Sequence, residues 1–251
     1  MAGVRKLHSL SGVVPIGAFL LLHIWTTLSI VGSSEVYDRQ VAFLHGGPVL
    51  GFLEVVLVLI PLAYHGLYGI VRSLQRTDPA DPPHAYDSSM MVTLQRLSGV
   101  VILVFVALHT WEFRGQTWTN GLPVASYSTT LIGHLSSTQV GVPWIAFGYL
   151  VGLAASFFHL VNGMTSFFTT WGFTKTPESQ RRARVLFRIA GSFFFAVSAL
   201  MVVQLATGAR YFPSEPPKSP ATACGTDVPP PPPPPTPPSA SGVSPLPARD
   251  H

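Results

Sequence analysis

The sequence predicts an all-α membrane protein of five transmembrane helices, four forming a core of two repeated helix pairs and the fifth peripheral. Three observations predict it. Charged residues are only 10% of the chain and mean hydropathy is +0.39, whereas a soluble domain carries about 25% charged residues. Five apolar stretches reach the roughly 20 residues that a bilayer requires; they run over about 10–31, 49–71, 91–111, 142–168 and 185–206. Finally, a pattern recurs. Leu10-Ser11-Gly12-Val13-Val14 followed by His23-Ile24-Trp25 returns as Leu97-Ser98-Gly99-Val100-Val101 followed by His109-Thr110-Trp111, and His65 with Gly69 returns as His159 with Gly163.

The first span has a basic approach, Arg5 and Lys6. Its apolar run exceeds the roughly 7–15 residues of a signal peptide and carries His23 and Trp25, so it is expected to stay as a span. The loop from Gly32 to Pro48 holds Glu35, Asp38, Arg39 and His45, and Pro48 opens the second span. Asp78-Pro79 and Asp81-Pro82-Pro83 break helix between the second and third spans. The polar connection from Arg114 to Gly141, with Trp118, Tyr127 and His134, is expected to cap the outer end. Trp144 and Trp171 flank the fourth span as interface aromatics. The fifth span has no histidine and is expected to serve packing or lipid contact. After Tyr211 comes a proline-rich tail, Pro229 to Pro235 being unbroken, which favours extended polyproline II or disorder. The predicted organisation is therefore a membrane domain over 1–210 and a tail over 211–251. The single cysteine, Cys224, lies in that tail, so the chain has neither a disulfide framework nor a thiolate metal site.

The net charge of +4 belongs to membrane loops rather than to a nucleic-acid surface. Arg5, Lys6, Arg72, Arg76, Arg96, Lys175, Arg181, Arg182 and Arg184 fall on one side; Arg39 and Arg114 stand alone on the other. The positive-inside rule then predicts a cytoplasmic N-terminus and an outside C-terminus.

Ionisable side chains at membrane depth are costly and mark function. His23 and His109 lie about 14 and 13 residues from the cytoplasmic ends of their spans, roughly 21 and 20 Å on the helical rise. His65 and His159 lie about 17 and 16 residues from the outer ends, roughly 25 and 24 Å. Each level takes one histidine from each repeat. Imidazole suits iron, and two level pairs predict a four-helix core holding two haems, each between two histidines. Such irons have no open position, which favours electron transfer over oxygen activation. Gly12, Gly69, Gly99 and Gly163 fit a close approach to the backbone, or ordinary small-residue packing. Arg5, Arg72 and Arg96 are candidates for the inner propionates, with inside anchoring the alternative.

On these residues the chain from about Lys6 to Arg210 resembles the cytochrome b anchor of succinate:quinone oxidoreductase and fumarate reductase, in its single-anchor, two-haem, menaquinone-using form. The resemblance implies two haem b groups, the inner and higher-potential one on His65 and His159, the outer and lower-potential one on His23 and His109. It implies menaquinone as substrate and a bacterial cytoplasmic membrane location. A flavoprotein with FAD and an iron–sulfur subunit with its clusters would dock on the cytoplasmic face. Succinate oxidation or fumarate reduction would belong to those partners, and the chain shows no dinucleotide-binding glycine pattern of its own. His8 matches a histidine that the family has before its first span, with a role at the inner haem edge or at the iron–sulfur subunit.

Quinone reduction takes up protons, so a protonatable group is expected near its site. Glu54, about two turns into the second span, is the carboxylate well inside an apolar stretch and is read as a quinone or proton-transfer residue. Two other readings remain open from sequence: a diheme anchor of another quinone-linked oxidoreductase, such as a hydrogenase or formate dehydrogenase, and a haem-free proton-coupled transporter using the histidines as a relay.

Overall fold

The structure is a computed structural model and describes residues 2–75 and 89–209. The Asp-Pro breaks after Arg76, the proline-rich tail and Cys224 lie outside the described residues. The described residues belong to one compact unit, Met1–Glu215.

The described residues are helical apart from short connections. Five helices are long and apolar enough to cross a membrane: α1 (Gly3–Gly32), α3 (Gly47–Leu74), α4 (Met90–Asn120), α6 (Trp144–Thr170) and α7 (Pro177–Thr207). Two shorter helices, α2 (Ser34–Leu44) and α5 (Tyr127–Ser136), sit in the connections α1–α3 and α4–α6. Those connections lie at one end of the bundle, termed the cap end; the arginine-rich end is opposite.

Helix ends differ from the sequence expectation. The fourth long helix in this chain order, α6, starts at Trp144 because Val140 and Gly141 both take positive φ and a Gln139–Val142 bridge turns the chain before Pro143. Helix α7 starts at Pro177, well before 185: Thr176 and Ser179 cap each other reciprocally, and proline suits the first turn. Arg181, Arg182 and Arg184 are thus on a helix, not in a loop. Helix α4 runs through Trp111 to Asn120, so Arg114 rides on a helix rather than in the connection, and Glu112, just past the expected span, rides on it too. The added turns are polar and amphipathic, which hides them from a search for apolar length.

Three π-helical segments interrupt the long helices: Gly12–Gly17 in α1, around Pro15, Val55–Leu59 in α3, and Trp111–Gly115 in α4. Proline lacks the N–H that an α-helical turn needs. Each π turn re-aims the residues that follow, and such turns gather at functional sites.

The buried apolar core lies toward the cap end. Ile24, Ile30 and Val31 of α1 meet Tyr37 and Val41 of α2, Leu131 and Leu135 of α5, Leu153 and Phe157 of α6, and Met201 and Val202 of α7. Asp38 on α2 caps α5, its carboxylate accepting from Ser128 N–H at 3.1 Å and Ser128 Oγ at 2.6 Å. Helix α3 contributes no buried residue among those described.

Helix α7 packs on the flank of α6, outside the repeated pairs. The approach is close: Gly191 is buried, and a Cβ there would overlap Val161 Cγ2. Gly191→Leu is expected to separate the two helices and to cost about 1–3 kcal/mol, the usual range for overpacking. Thermal unfolding in detergent measures it.

Candidate haem-ligand pairs and their polar surroundings

The structure brings the four intramembrane histidines together in two pairs, each joining the two repeats. His65 on α3 and His159 on α6 have ring centroids 6.1 Å apart, with planes at 83°. His23 on α1 and His109 on α4 are 5.6 Å apart at 76°. All four are half-buried. A metal held between two imidazoles, with bonds of about 2 Å each and the ring half-widths added, sets centroids roughly 6 Å apart. Both pairs fit that span.

Ring nitrogens decide which atom is free to bind. His65 Nδ1–H donates to the His8 carbonyl at 3.0 Å, and His159 Nδ1–H donates to the Gln95 carbonyl at 3.1 Å. A carbonyl only accepts, so the proton sits on Nδ1 and the Nε2 lone pair remains for a metal. The arrangement is duplicated in detail. Ser11 Oγ donates to the His8 carbonyl and lies 3.5 Å from His65 Nδ1; Ser98 Oγ donates to the Gln95 carbonyl and lies 3.3 Å from His159 Nδ1. Each serine precedes the repeat's glycine. Gly12 and Gly99 face the His65 and His159 rings, while Gly69 and Gly163 face His8 and the Gln95 side chain.

His8 stacks on His65, centroids 4.1 Å apart and planes within 17°. Its buried Nδ1 has no hydrogen-bond partner, nor does Gln95 Oε1 at the equivalent position of the second repeat. Both unsatisfied atoms border the same pair of histidines.

At the cap end, His109 Nδ1 and the Tyr149 hydroxyl are 3.0 Å apart, and Tyr149 donates to Glu112 Oε2 at 2.7 Å. His134 Nδ1 bonds to the other oxygen, Glu112 Oε1. Phe19 stacks on His23, and Phe105 on His109.

Glu54 is four-fifths buried and accepts from Arg114 Nη2 at 2.5 Å. His45 Nε2 stands 4.0 Å from its second oxygen, and Arg114 lies over the Trp118 ring at 5.0 Å. A second carboxylate, Glu112, is as deeply placed as Glu54, each 19% exposed. Sequence reasoning missed it because the third apolar stretch ends there. Tyr149, Ser11, Ser98 and Gln95 were also missed; the serines were visible inside the repeated block, but nothing in the sequence aims them at a ring.

At the opposite end, Arg5 is exposed, Arg72 donates to Gln75 Oε1 at 3.0 Å, and Arg96 is half-buried beside Gln95. Lys6 lies over the Trp171 ring at 5.6 Å.

The family model described as "Succinate dehydrogenase/Fumarate reductase transmembrane subunit" matches residues 83–199. The succinate dehydrogenase cytochrome b558 subunit of Bacillus subtilis (strain 168) is 32% identical over 177 residues, covering 70% of this chain and 83% of that protein. No solved structure matches. With its five spanning helices and this likeness over most of a curated relative, the chain belongs to the succinate dehydrogenase/fumarate reductase transmembrane subunit family, as a cytochrome b anchor.

Proposed function

We propose that this anchor carries electrons between an iron–sulfur subunit and menaquinone, with each histidine pair holding the iron of one b-type haem. The observation that carries the reading is the presence of two perpendicular imidazole pairs, 5.6 and 6.1 Å between centroids, each drawn from both repeats. When bound, the two irons supply one-electron transfer along the bundle.

The residues divide the work by end. The His65 and His159 rings lie 6.1 Å apart between centroids, and the His8 and Gln95 carbonyls fix their tautomers so that each Nε2 lone pair is left for iron. His23 and His109 form the second pair, 5.6 Å between centroids, nearer the cap. Arg5, Arg72 and Arg96 stand at the end that the positive-inside rule makes cytoplasmic, where they are placed to meet propionates and the docking face of the iron–sulfur and flavoprotein subunits. His8 borders the inner pair. Succinate or fumarate chemistry stays with the flavoprotein. The Bacillus relative supports a bacterial cytoplasmic membrane location, and the positive-inside rule favours an outward cap end.

Glu54 lies at the cap end, opposite the cytoplasmic partners, and serves quinone protonation there. Its ion pair with Arg114 fixes the carboxylate at that end, as a group that accepts a proton from the cap side and passes it on toward quinone. Glu54→Gln is expected to lower menaquinone turnover about tenfold or more, the loss of a positioned acid–base group, while haem content stays unchanged. Unchanged turnover in that variant removes Glu54 from the proton path.

The test of the whole reading is a reduced-minus-oxidised spectrum of the purified complex, with haem counted per chain and the copurifying subunits identified. Two low-spin b haems, an iron–sulfur subunit and a succinate-oxidising flavoprotein are expected. Absence of b-type absorbance overturns it.

A further inference from the structure

The two histidine pairs differ in what their Nδ1 groups meet. His65 and His159 donate to neutral backbone carbonyls. His109 instead faces a phenol that is already committed. Glu112 is a carboxylate and can only accept, so the Tyr149 proton points at Glu112 Oε2, 2.7 Å away. The phenol oxygen then accepts from His109 Nδ1–H at 3.0 Å. The order of donors is therefore His109 to Tyr149 to Glu112. His134 holds the other carboxylate oxygen from the cap side.

The internal repeat supplies an independent sign that this is a built feature. Counting from the histidines, Glu112 occupies the place of Thr26, and Tyr149 the place of Val55. Thr26 turns its hydroxyl back to the Leu22 carbonyl at 2.9 Å, and valine offers no hydrogen bond. Both members of the Tyr–Glu link thus occur in the second copy and neither occurs in the first.

We propose that Glu112 is a positioning residue for the cap-end haem: acting through Tyr149, it makes the His109 imidazole more electron-rich and lowers the midpoint potential at that iron. This rests on reading His23 and His109 as its ligands. Hydrogen bonds to ionised groups are stronger than neutral ones, and acceptors behind a ligating imidazole raise its basicity. A more basic ligand favours the ferric state. Phe105 and Phe113 crowd His109, with centroids at 5.8 and 5.2 Å, so the charge acts in an apolar setting.

The experiment is spectroelectrochemical titration of the purified complex carrying Glu112→Gln, Tyr149→Phe, or both. Glutamine keeps the acceptor and removes the charge; phenylalanine keeps the ring and removes the link. Each single change is expected to raise the cap-end haem's potential and to leave the other haem's potential where it was. The double variant is expected to titrate as Tyr149→Phe does, because the carboxylate acts through the phenol. Two haems bound with neither potential moved in Tyr149→Phe overturns the inference and leaves the haem reading intact. So do additive shifts, which make Glu112 a charge acting through space. Absence of haem from the wild-type complex overturns both. Where Glu112→Gln fails to assemble, the Tyr149→Phe titration decides alone.

Discussion

His65→Ala is expected to leave the purified complex with one of the two proposed haems, and to abolish electron delivery to menaquinone. His159→Ala should lose the same haem, while His23→Ala and His109→Ala should lose the other. The grouping is the informative part. Ring pairs 6.1 and 5.6 Å apart tie each loss to a partner on a different helix and a different repeat. Haem content is read from the pyridine haemochrome, and the identity of the lost haem from a redox titration. Succinate oxidation with a soluble acceptor should survive in every variant that still assembles, because the proposed function leaves that chemistry to a partner flavoprotein. A variant of His65 that keeps both haems would break the assignment. The expected loss is complete rather than graded. Each proposed iron would be held to the protein by only two imidazoles, and alanine offers no donor in place of the one removed.

The sequence made the five spans and the partnership of histidines legible because both follow from one-dimensional quantities. Apolar length counts against bilayer thickness, and depth counts along a constant rise. The repeat then linked His23 with His109 and His65 with His159, and the structure brings those same residues within ring contact. Helix ends were harder. Arg181, Arg182 and Arg184 lie on α7, and Glu112 and Arg114 lie on α4, since helix continues where hydropathy stops. The partners of Glu112 could not be read from sequence at all. The π turn at Trp111–Gly115 rotates that carboxylate toward Tyr149 and His134, and rotation within a helix leaves no mark in composition. Glu54 is visible in sequence as a carboxylate inside an apolar stretch, but Arg114 as its partner is not, because the apolar stretch of its helix ends three residues earlier.

Gly12→Ala and Gly99→Ala make a pair in which the repeat predicts equality and the packing predicts difference. A Cβ on Gly12 would overlap the His65 ring at Cε1 and come within 2.7 Å of Nδ1. A Cβ on Gly99 would meet His159 Cε1 at 3.2 Å and Nδ1 at 3.6 Å, which a small adjustment absorbs. The His65 ring has little freedom to retreat. Its Nδ1–H is held by the His8 carbonyl at 3.0 Å, and the His8 ring stacks on it at 4.1 Å. The methyl group therefore displaces the ring from that hydrogen bond and misaims Nε2. Partners behind a metal-binding imidazole are worth roughly 10–100-fold in metal affinity, so Gly12→Ala is expected to lose the haem at the His65–His159 pair on purification. Gly99→Ala should keep it with a modest change of potential. Adding His8→Ala to Gly12→Ala opens space beside the ring while keeping the backbone carbonyl, and should restore part of the haem. Haem counts that are equal and normal in both glycine variants would mean that the ring is not confined as described. Recovery with His8→Ala would place the defect in crowding around one imidazole rather than in the helix backbone.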